Sequence, residues 1–440
     1  MGFLSGSGDF SYQNADYVKH NAILFDLISQ SWPVIFEIKT QDGQENVFSL
    51  IYYFAYYLPA ALIGKIFSFK IAIYFIFLWT FIGVLISFLW LSKILNKINL
   101  IYLNFFIFFA GFDYFGYVVN KIGIESFFLS FINAFKSDYA PHVSWWSAFT
   151  YKEKLYYLWQ FSSNTTLLFW VPQHAIPGWI TGGIFISFIL TQEKKISNLI
   201  IWIALSFFWS PFVTISLGIY FIYYLINFFN FKNFKKENLN ISYILFSLYV
   251  IIILILFYLS RIEKNEISFI WNLVPFNILF SKLLIFYIFQ IGIFVILIYP
   301  LISFKKYSRL IIFTLLFLIT IPLIKFGMYN DFCMRVSIVP LFFLLVLTLK
   351  SFEYFSFKKY TIFILIFFMS LGPLQEGKRS ISHLIHMMAR SGENIFVASP
   401  PPQKKASIIN IDNKLVSNQY MGKSTSFFFK YVAKENHSRN

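Results

Sequence analysis

Apolar residues in this chain come in long runs rather than in stripes. Windows of roughly 18–25 residues with almost no charge, the length that crosses a bilayer, recur between Ile71 and Leu371. The runs are 71–91, 98–111, 175–191, 241–260, 276–303, 310–325, 336–349 and 361–371. Two shorter halves, 197–209 and 212–229, are split by Ser210-Pro211. This spacing predicts an all-α fold: a polytopic helical membrane protein of about ten spans, with large loops on one face.

The stretch before the first span has a different pattern. Asp9, Asp16, Lys19, His20 and Asp26 crowd into one short segment. Asn14 suits a helix N-cap and Pro33 forbids continuation, so a helix is expected over about 15–31. On it Asp16 and His20 lie four residues apart on one face, with Lys19 beside them, and Asp9 sits upstream in a Gly/Ser-rich loop. A carboxylate next to an imidazole is a reasonable base or metal-holding group; an i,i+4 surface pair is the plainer reading. Residues 47–67 are apolar but hold Tyr52, Tyr53, Tyr56, Tyr57 and Pro59, which suits the headgroup level and an interfacial or re-entrant helix. The chain thus divides into residues 1–70, a transmembrane unit 71–373 with a long loop 116–173, and a polar tail 374–440 that contains Pro400-Pro-Pro402.

Charge gives the expected orientation. The chain is 58% hydrophobic and carries a formal charge of +16, but its basic residues cluster in short inter-span turns, which orients helices rather than binding nucleic acid. With 47–67 at the interface, the clusters at 92–97, 193–195, 232–236, 305–309 and 350–359 share one face, expected to be cytoplasmic. The opposite face then holds 1–70, Asp113, the 116–173 loop, Ser210-Pro211, 261–272, 328–335 and the tail. Residues 1–46 carry two basic and six acidic side chains, which agrees with an external location. Nothing present would export that segment, so a further apolar helix before Met1 is expected. The single cysteine, Cys333, excludes an internal disulfide.

On the external face, Asp113 ends an apolar helix, where a carboxylate is costly and functional by default; it also reads as a helix-end residue reaching water. His174 opens a span between two prolines, as a proton carrier, a phosphate donor or a plain interfacial residue. Arg335 is placed to grip a phosphate with its planar fork, or simply to pair with Asp331 four residues back. Trp145, Trp146, Trp159 and Trp170, in the loop that also holds His142, read as sugar-stacking surfaces or interfacial anchors. Asn164-Thr-Thr and Asn436-His-Ser are formal glycosylation sequons. No nucleotide-binding loop occurs, and the cytoplasmic loops are too short for a nucleotide domain, so any donor must be met outside, where a lipid-carried one is to be expected.

Four stretches carry a resemblance: Asp16-Tyr-Val-Lys-His-Asn-Ala-Ile-Leu, Ser162 through Gln173-His-Ala-Ile-Pro-Gly-Trp179, Trp209-Ser-Pro-Phe212, and Asn330-Asp-Phe-Cys-Met-Arg335. With the acidic first loop and the helix after it, they resemble the GT-C class of integral-membrane glycosyltransferases, nearest a bacterial group within it. A first helix preceding the acidic loop is the one element of the class missing here. The resemblance implies a bacterial inner-membrane enzyme with an extracytoplasmic site. It would move a sugar from a polyprenyl-phosphate donor to a glycan, lipid or protein acceptor. Asp16 maps best to the class's first-loop acid, with Asp9 second and Asp113 a weaker second acid. Asp16 would be the base or, with Asp113, a holder of Mg or Mn. Arg335, with Lys19 or His174, would neutralise the departing lipid phosphate. The rival readings are a transporter or flippase of a lipid-linked substrate, which predicts charges near mid-span and symmetric halves, and a non-catalytic assembly subunit.

Overall fold

In the computed structural model the apolar runs form helices, and among the described residues nine of these are long and apolar enough to cross a membrane. The described residues are 2–39, 45–122, 145–193, 196–228, 240–262, 266–390, 407–410 and 419–433. Lys194 and Lys195, the cluster 232–236, His142, Pro400–Pro402 and Asn436 lie outside them.

Helix α1 (Asp16–Ser29) and α2 (Leu58–Ile66) precede the first span, α3 (Phe69–Leu95). Next come α4 (Leu100–Phe108), α5 (Asp113–Tyr117), α6 (Asn164–Trp170) and α7 (Pro172–Thr191). The split pair is α8 (Ile196–Trp209) and α9 (Pro211–Phe228), followed by α10 (Ile241–Leu259). The 276–303 span is α11 (Phe276–Tyr287), a π-helical turn and α12 (Ile293–Ile298). The last are α13 (Lys305–Thr320), α14 (Asp331–Val336), α15 (Ile338–Tyr354) and α16 (Lys359–Arg390). Polar caps mark the starts: the side chains of Ser68, Asn99 and Asn240 accept from Ile71 N, Ile101 N and Tyr243 N. α8, at 14 residues, is the short member of the set.

α15 is the most enclosed of the spans, and α7 packs between it and α3. Small residues permit that approach. A Cβ at Gly178 would come 2.4 Å from Ile338 Cγ2, and one at Gly183 2.8 Å from Trp90 Cβ. Helix ends sort into two faces. On one, Tyr224 donates to the Glu193 carbonyl, Tyr102 Oη lies 3.5 Å from Glu353 Oε1, and Lys93, Lys305, Lys306, Lys350 and Lys358 gather. On the other, Tyr258 donates to the Phe207 carbonyl (3.3 Å), Trp159 to the Pro322 carbonyl (3.1 Å), and the N-terminal segment meets the tail.

Three small sheets depart from the all-α expectation. β1 (Ile35–Lys39), β2 (Glu45–Leu50) and a strand of the tail, Met421–Lys423, form an antiparallel sheet in that order; β3 (Phe149–Tyr151) pairs β4 (Lys154–Tyr156), and β5 (Ile267–Phe269) pairs β6 (Ile324–Phe326). The tail strand is β7. It is wedged between β2 and the end of α10: Ile51 N donates to Tyr420 O (2.8 Å), and Lys423 N to Ser260 O (2.9 Å). Gly422 sits at the closest point, where a Cβ would meet the Ile51 side chain at 2.0 Å.

Two expected boundaries move. The interfacial helix over 47–67 is instead strand to Leu50, a 3-10 turn (Phe54–Tyr56) and α2. Its four tyrosines are buried within the protein, and three of their hydroxyls have partners there: Gln173 for Tyr52 (3.1 Å), Thr80 for Tyr56 (2.6 Å) and His20 for Tyr57. The polar tail does not begin at 374, since α16 runs through Pro373 to Arg390. The tail also docks on α1, where Ile408 N donates to the fully buried Asp26 Oδ2 (2.8 Å).

Burial pushes the Asp26 carboxyl up to about 6, against a partial counter-effect from the Ile408 amide. A raised carboxyl pKa favours the fold when protonated, so this contribution is full below about pH 4 and is lost as pH rises through about 6. Asp26→Asn keeps an acceptor for Ile408 without the charge. Between pH 4 and 7 the parent should lose about 2–3 kcal/mol relative to Asp26→Asn, read as the difference in melting temperature across the range.

Candidate functional site

α1, α14 and the end of α10 bring three cations to one cleft. It is lined by Lys19, Arg261 and Arg335 with Asp331, Tyr52, Tyr53, Phe326, Gln419 and Tyr420. Sequence alone marks Lys19, Asp331 and Arg335; Arg261, the two β2-following tyrosines and the tail residues come only with the fold.

Local structure explains each placement. Asn14 Oδ1 accepts from Asp16 N (2.9 Å), and its Nδ2 donates to Phe169 O (2.7 Å), so the start of α1 is tied to the end of α6. Asp16 then stands in the first helical turn, where the dipole favours a carboxylate, and its Oδ2 takes a bond from Lys19 Nζ (2.6 Å). Burial would raise the Asp16 pKa, but Lys19, with Arg335 further off, outweighs it and holds the group below its ordinary range. Asp16 is therefore ionised at neutral pH. Lys19 loses hydration by burial, yet Asp16 more than compensates and keeps it protonated.

Asn330 sets up the second cation. It adopts a left-handed conformation (φ 51°) as N-cap of α14, its Oδ1 accepting from Cys333 N (3.4 Å) and Phe326 N (3.1 Å). Its Nδ2 donates to the carbonyls of Leu158 and Ile324. One turn on, Arg335 Nη2 meets Asp331 Oδ1 (2.9 Å), and the guanidinium carbon lies 5.3 Å from the centre of the Phe212 ring. Its Nε is buried with no hydrogen-bond partner.

Arg261 follows the C-terminus of α10, where the helix dipole favours a cation, and its backbone bridges to Gly422 of the tail. It forms no ion pair or side-chain hydrogen bond among the described residues, and its Nε is buried without a partner. Tyr52 and Tyr420, in edge contact at 5.2 Å, complete the wall. Burial raises both phenols, so they remain hydrogen-bond donors.

The other expected site residues lie elsewhere. His20 bonds Tyr57 Oη through Nδ1 and Trp170 O through Nε2 (3.1 Å); the carbonyl accepts, so Nε2 carries the proton and Nδ1 receives that of Tyr57. Burial, with Lys19 nearby, holds its pKa down to about 3, and both nitrogens are engaged in hydrogen bonds that tie α1 to Tyr57 and Trp170. Asp9 is exposed in the glycine-rich turn and does not line the cleft. Asp113 is buried apart from it, accepting from Trp146 Nε1 (3.1 Å) and Gln290 Nε2. His174 lies beneath the cleft, with Nδ1 on Ser210 Oγ (2.6 Å) and its ring edge-on to Tyr53 at 4.9 Å; its Nε2 is buried without a partner. Of the tryptophans, Trp146 and Trp159 are core residues, while Trp145 stacks on Tyr329 at 5.2 Å. Asn164 is buried, donating to Phe106 O and accepting from Trp179, so its sequon is closed.

A dedicated metal site does not fit these residues. Among the described residues no three His, Cys, Asp or Glu side chains gather, and Asp16 and Asp113 stand in separate environments, the first already paired with Lys19. Chemically the cleft presents three cations together with Asp331, and the ionised Asp16 is paired to Lys19 at its edge. Comparison with family models, curated proteins and solved structures gives no match to this chain.

Proposed function

We propose that this chain is a membrane glycosyltransferase of the GT-C type, moving a sugar from a polyprenyl-phosphate donor to an extracytoplasmic acceptor. The observation that carries the reading is the meeting of Lys19, Arg261 and Arg335 in one cleft at the ends of apolar helices, with Asp16 ionised beside them. A cluster of guanidinium and ammonium groups at such a place suits a lipid-borne phosphate.

In the proposed reaction Asp16 takes the proton of an acceptor hydroxyl as its oxygen attacks the anomeric carbon. The bond from that carbon to the phosphate oxygen breaks, and the lipid phosphate leaves with the electron pair. Arg335, Arg261 and Lys19 stabilise the charge that develops on it. One displacement inverts the anomeric centre.

The test is donor consumption by the purified protein in lipid, across several polyprenyl-phosphate sugars and with acceptor glycans. Loss of donor with release of polyprenyl phosphate is the expected result; none across the panel would favour a transporter or an assembly subunit. The reading also requires the cleft to face out. In intact cells an impermeant thiol reagent should label Thr425→Cys and spare Lys235→Cys, and the reverse pattern would overturn it.

A further inference from the structure

The cleft is smaller than any ligand its charges would serve. It holds about 30 Å³, room for about two waters, whereas a sugar phosphate is many times larger. One of its walls has to move before such a molecule can reach Lys19, Arg261 and Arg335.

Most of the walls are tied into the helical bundle. α1 is fixed through Asn14 Nδ2 to Phe169 O, Tyr52 accepts from Gln173 Nε2 (3.1 Å), and α14 is anchored through Asn330 Nδ2 to the carbonyls of Leu158 and Ile324. The wall formed by Gln419 and Tyr420 is different. It belongs to the tail, at the start of β7, a strand of three residues added to a β1–β2 hairpin that is already paired without it. Its backbone ties run to the surface on either side: Ile51 N donates to Tyr420 O (2.8 Å), Ile262 N to Met421 O (3.1 Å), and Lys423 N to Ser260 O (2.9 Å). Beyond the strand, Phe429 packs with Ile51 and Phe257 in a small cluster separate from the main core. Lifting the strand hands these polar groups to water instead of orphaning them, so it costs only part of the global stability. What leaves with it is a large side chain. Tyr420 is buried in edge contact with Tyr52, and its phenol stands in the field of Lys19, Asp16 and Arg335.

We propose that β7 is a displaceable strap over the cleft. Seated, it closes the site with Tyr420; released, it opens the three cations to a ligand of sugar-phosphate size. The strap goes beyond the transferase reading and rests on it only for the size of the ligand that enters.

Two measurements on the full chain in phosphatidylcholine nanodiscs test it. The first is amide hydrogen exchange in the unmodified protein. Ile51 N faces the strap, while its neighbour Leu50 N faces the other way and donates to Val34 O (3.0 Å). Release of the strap should let the amides of Ile51, Ile262 and Lys423 exchange together, at least about tenfold faster than that of Leu50. The second locks the strap. Phe48 and Lys423 are directly opposite in a non-hydrogen-bonded pair, close enough for a disulfide, and the native Cys333 is buried. Oxidised Phe48→Cys/Lys423→Cys should retain a radiolabelled polyprenyl-phosphate hexose at least about tenfold less than the same preparation after reduction. The reduced form is its own folding control. Exchange at the three amides no faster than at Leu50, or equal retention before and after reduction, would overturn the strap. No retention by the unmodified protein would sink the transferase reading alone, and the exchange rates would then decide the strap.

Discussion

Asp16→Asn should lower sugar transfer by a factor of roughly 100 or more, the usual range for a positioned general base. Asn keeps the shape and the place in the first turn of α1, but it cannot accept the acceptor's proton. It also leaves Lys19 without its 2.6 Å partner, so donor binding should hold or tighten while turnover falls. That split separates a base from a structural residue, whose loss would move melting temperature and both kinetic parameters together. Two companions sharpen the reading. Asp9→Asn lies outside the cleft and should leave turnover unchanged. His20→Gln should lower stability, since both ring nitrogens hold α1 to Tyr57 and Trp170. Equal turnover in Asp16→Asn and the parent removes Asp16 from the reaction.

The second large effect is at Arg335. Its guanidinium is held on one side by Asp331 and on a face by Phe212, leaving the rest of the fork for phosphate oxygens. Arg335→Ala should raise the donor KM about 10–100-fold, the worth of one or two charge-assisted bonds. Arg335→Lys restores the charge without the planar fork or the stacked geometry, so it should recover only part. A residue whose role was only to satisfy Asp331 would be mimicked by Asp331→Asn. Asp331 is 32% exposed in its side chain while Arg335 is buried, and Asn keeps a neutral partner for the guanidinium, so Asp331→Asn should change KM by about fivefold or less. Donor KM measured in the three variants decides the matter.

Membrane spans were legible because an apolar run of bilayer length has few other uses, and Ser210-Pro211 marked the break between α8 and α9 because proline cannot continue a helix. Helix α1 falls close to its expected span, although its N-cap is Ala15 rather than Asn14, one residue further back, whose Oδ1 accepts from Asp16 N. Distant pairing was not readable. Arg261 carried only a sidedness in the sequence; its place in the cleft depends on a tail strand that pairs with β2 some 370 residues away, Phe48 opposite Lys423. Tyr52, Tyr53, Tyr56 and Tyr57 fit an interface or a core equally well until their hydroxyl partners are known. For Asp113 the sequence left a functional acid and a helix-end residue reaching water both open, because Gln290, which covers it, is 177 residues downstream. His20 shows the same limit: the i,i+4 spacing to Asp16 is local, whereas the Trp170 carbonyl that fixes its proton is not.

The central claim is that Lys19, Arg261 and Arg335 hold the phosphate of a lipid-linked donor. A cryo-EM map of the full chain in nanodiscs with a non-hydrolysable phosphonate analogue of a polyprenyl-phosphate sugar tests it most directly. The account predicts phosphonate density within hydrogen-bonding distance of Arg335 and Arg261, with the sugar toward Asp16. Density for the head group beside Asp113, or at the lysine-rich ends of the helices, would contradict it.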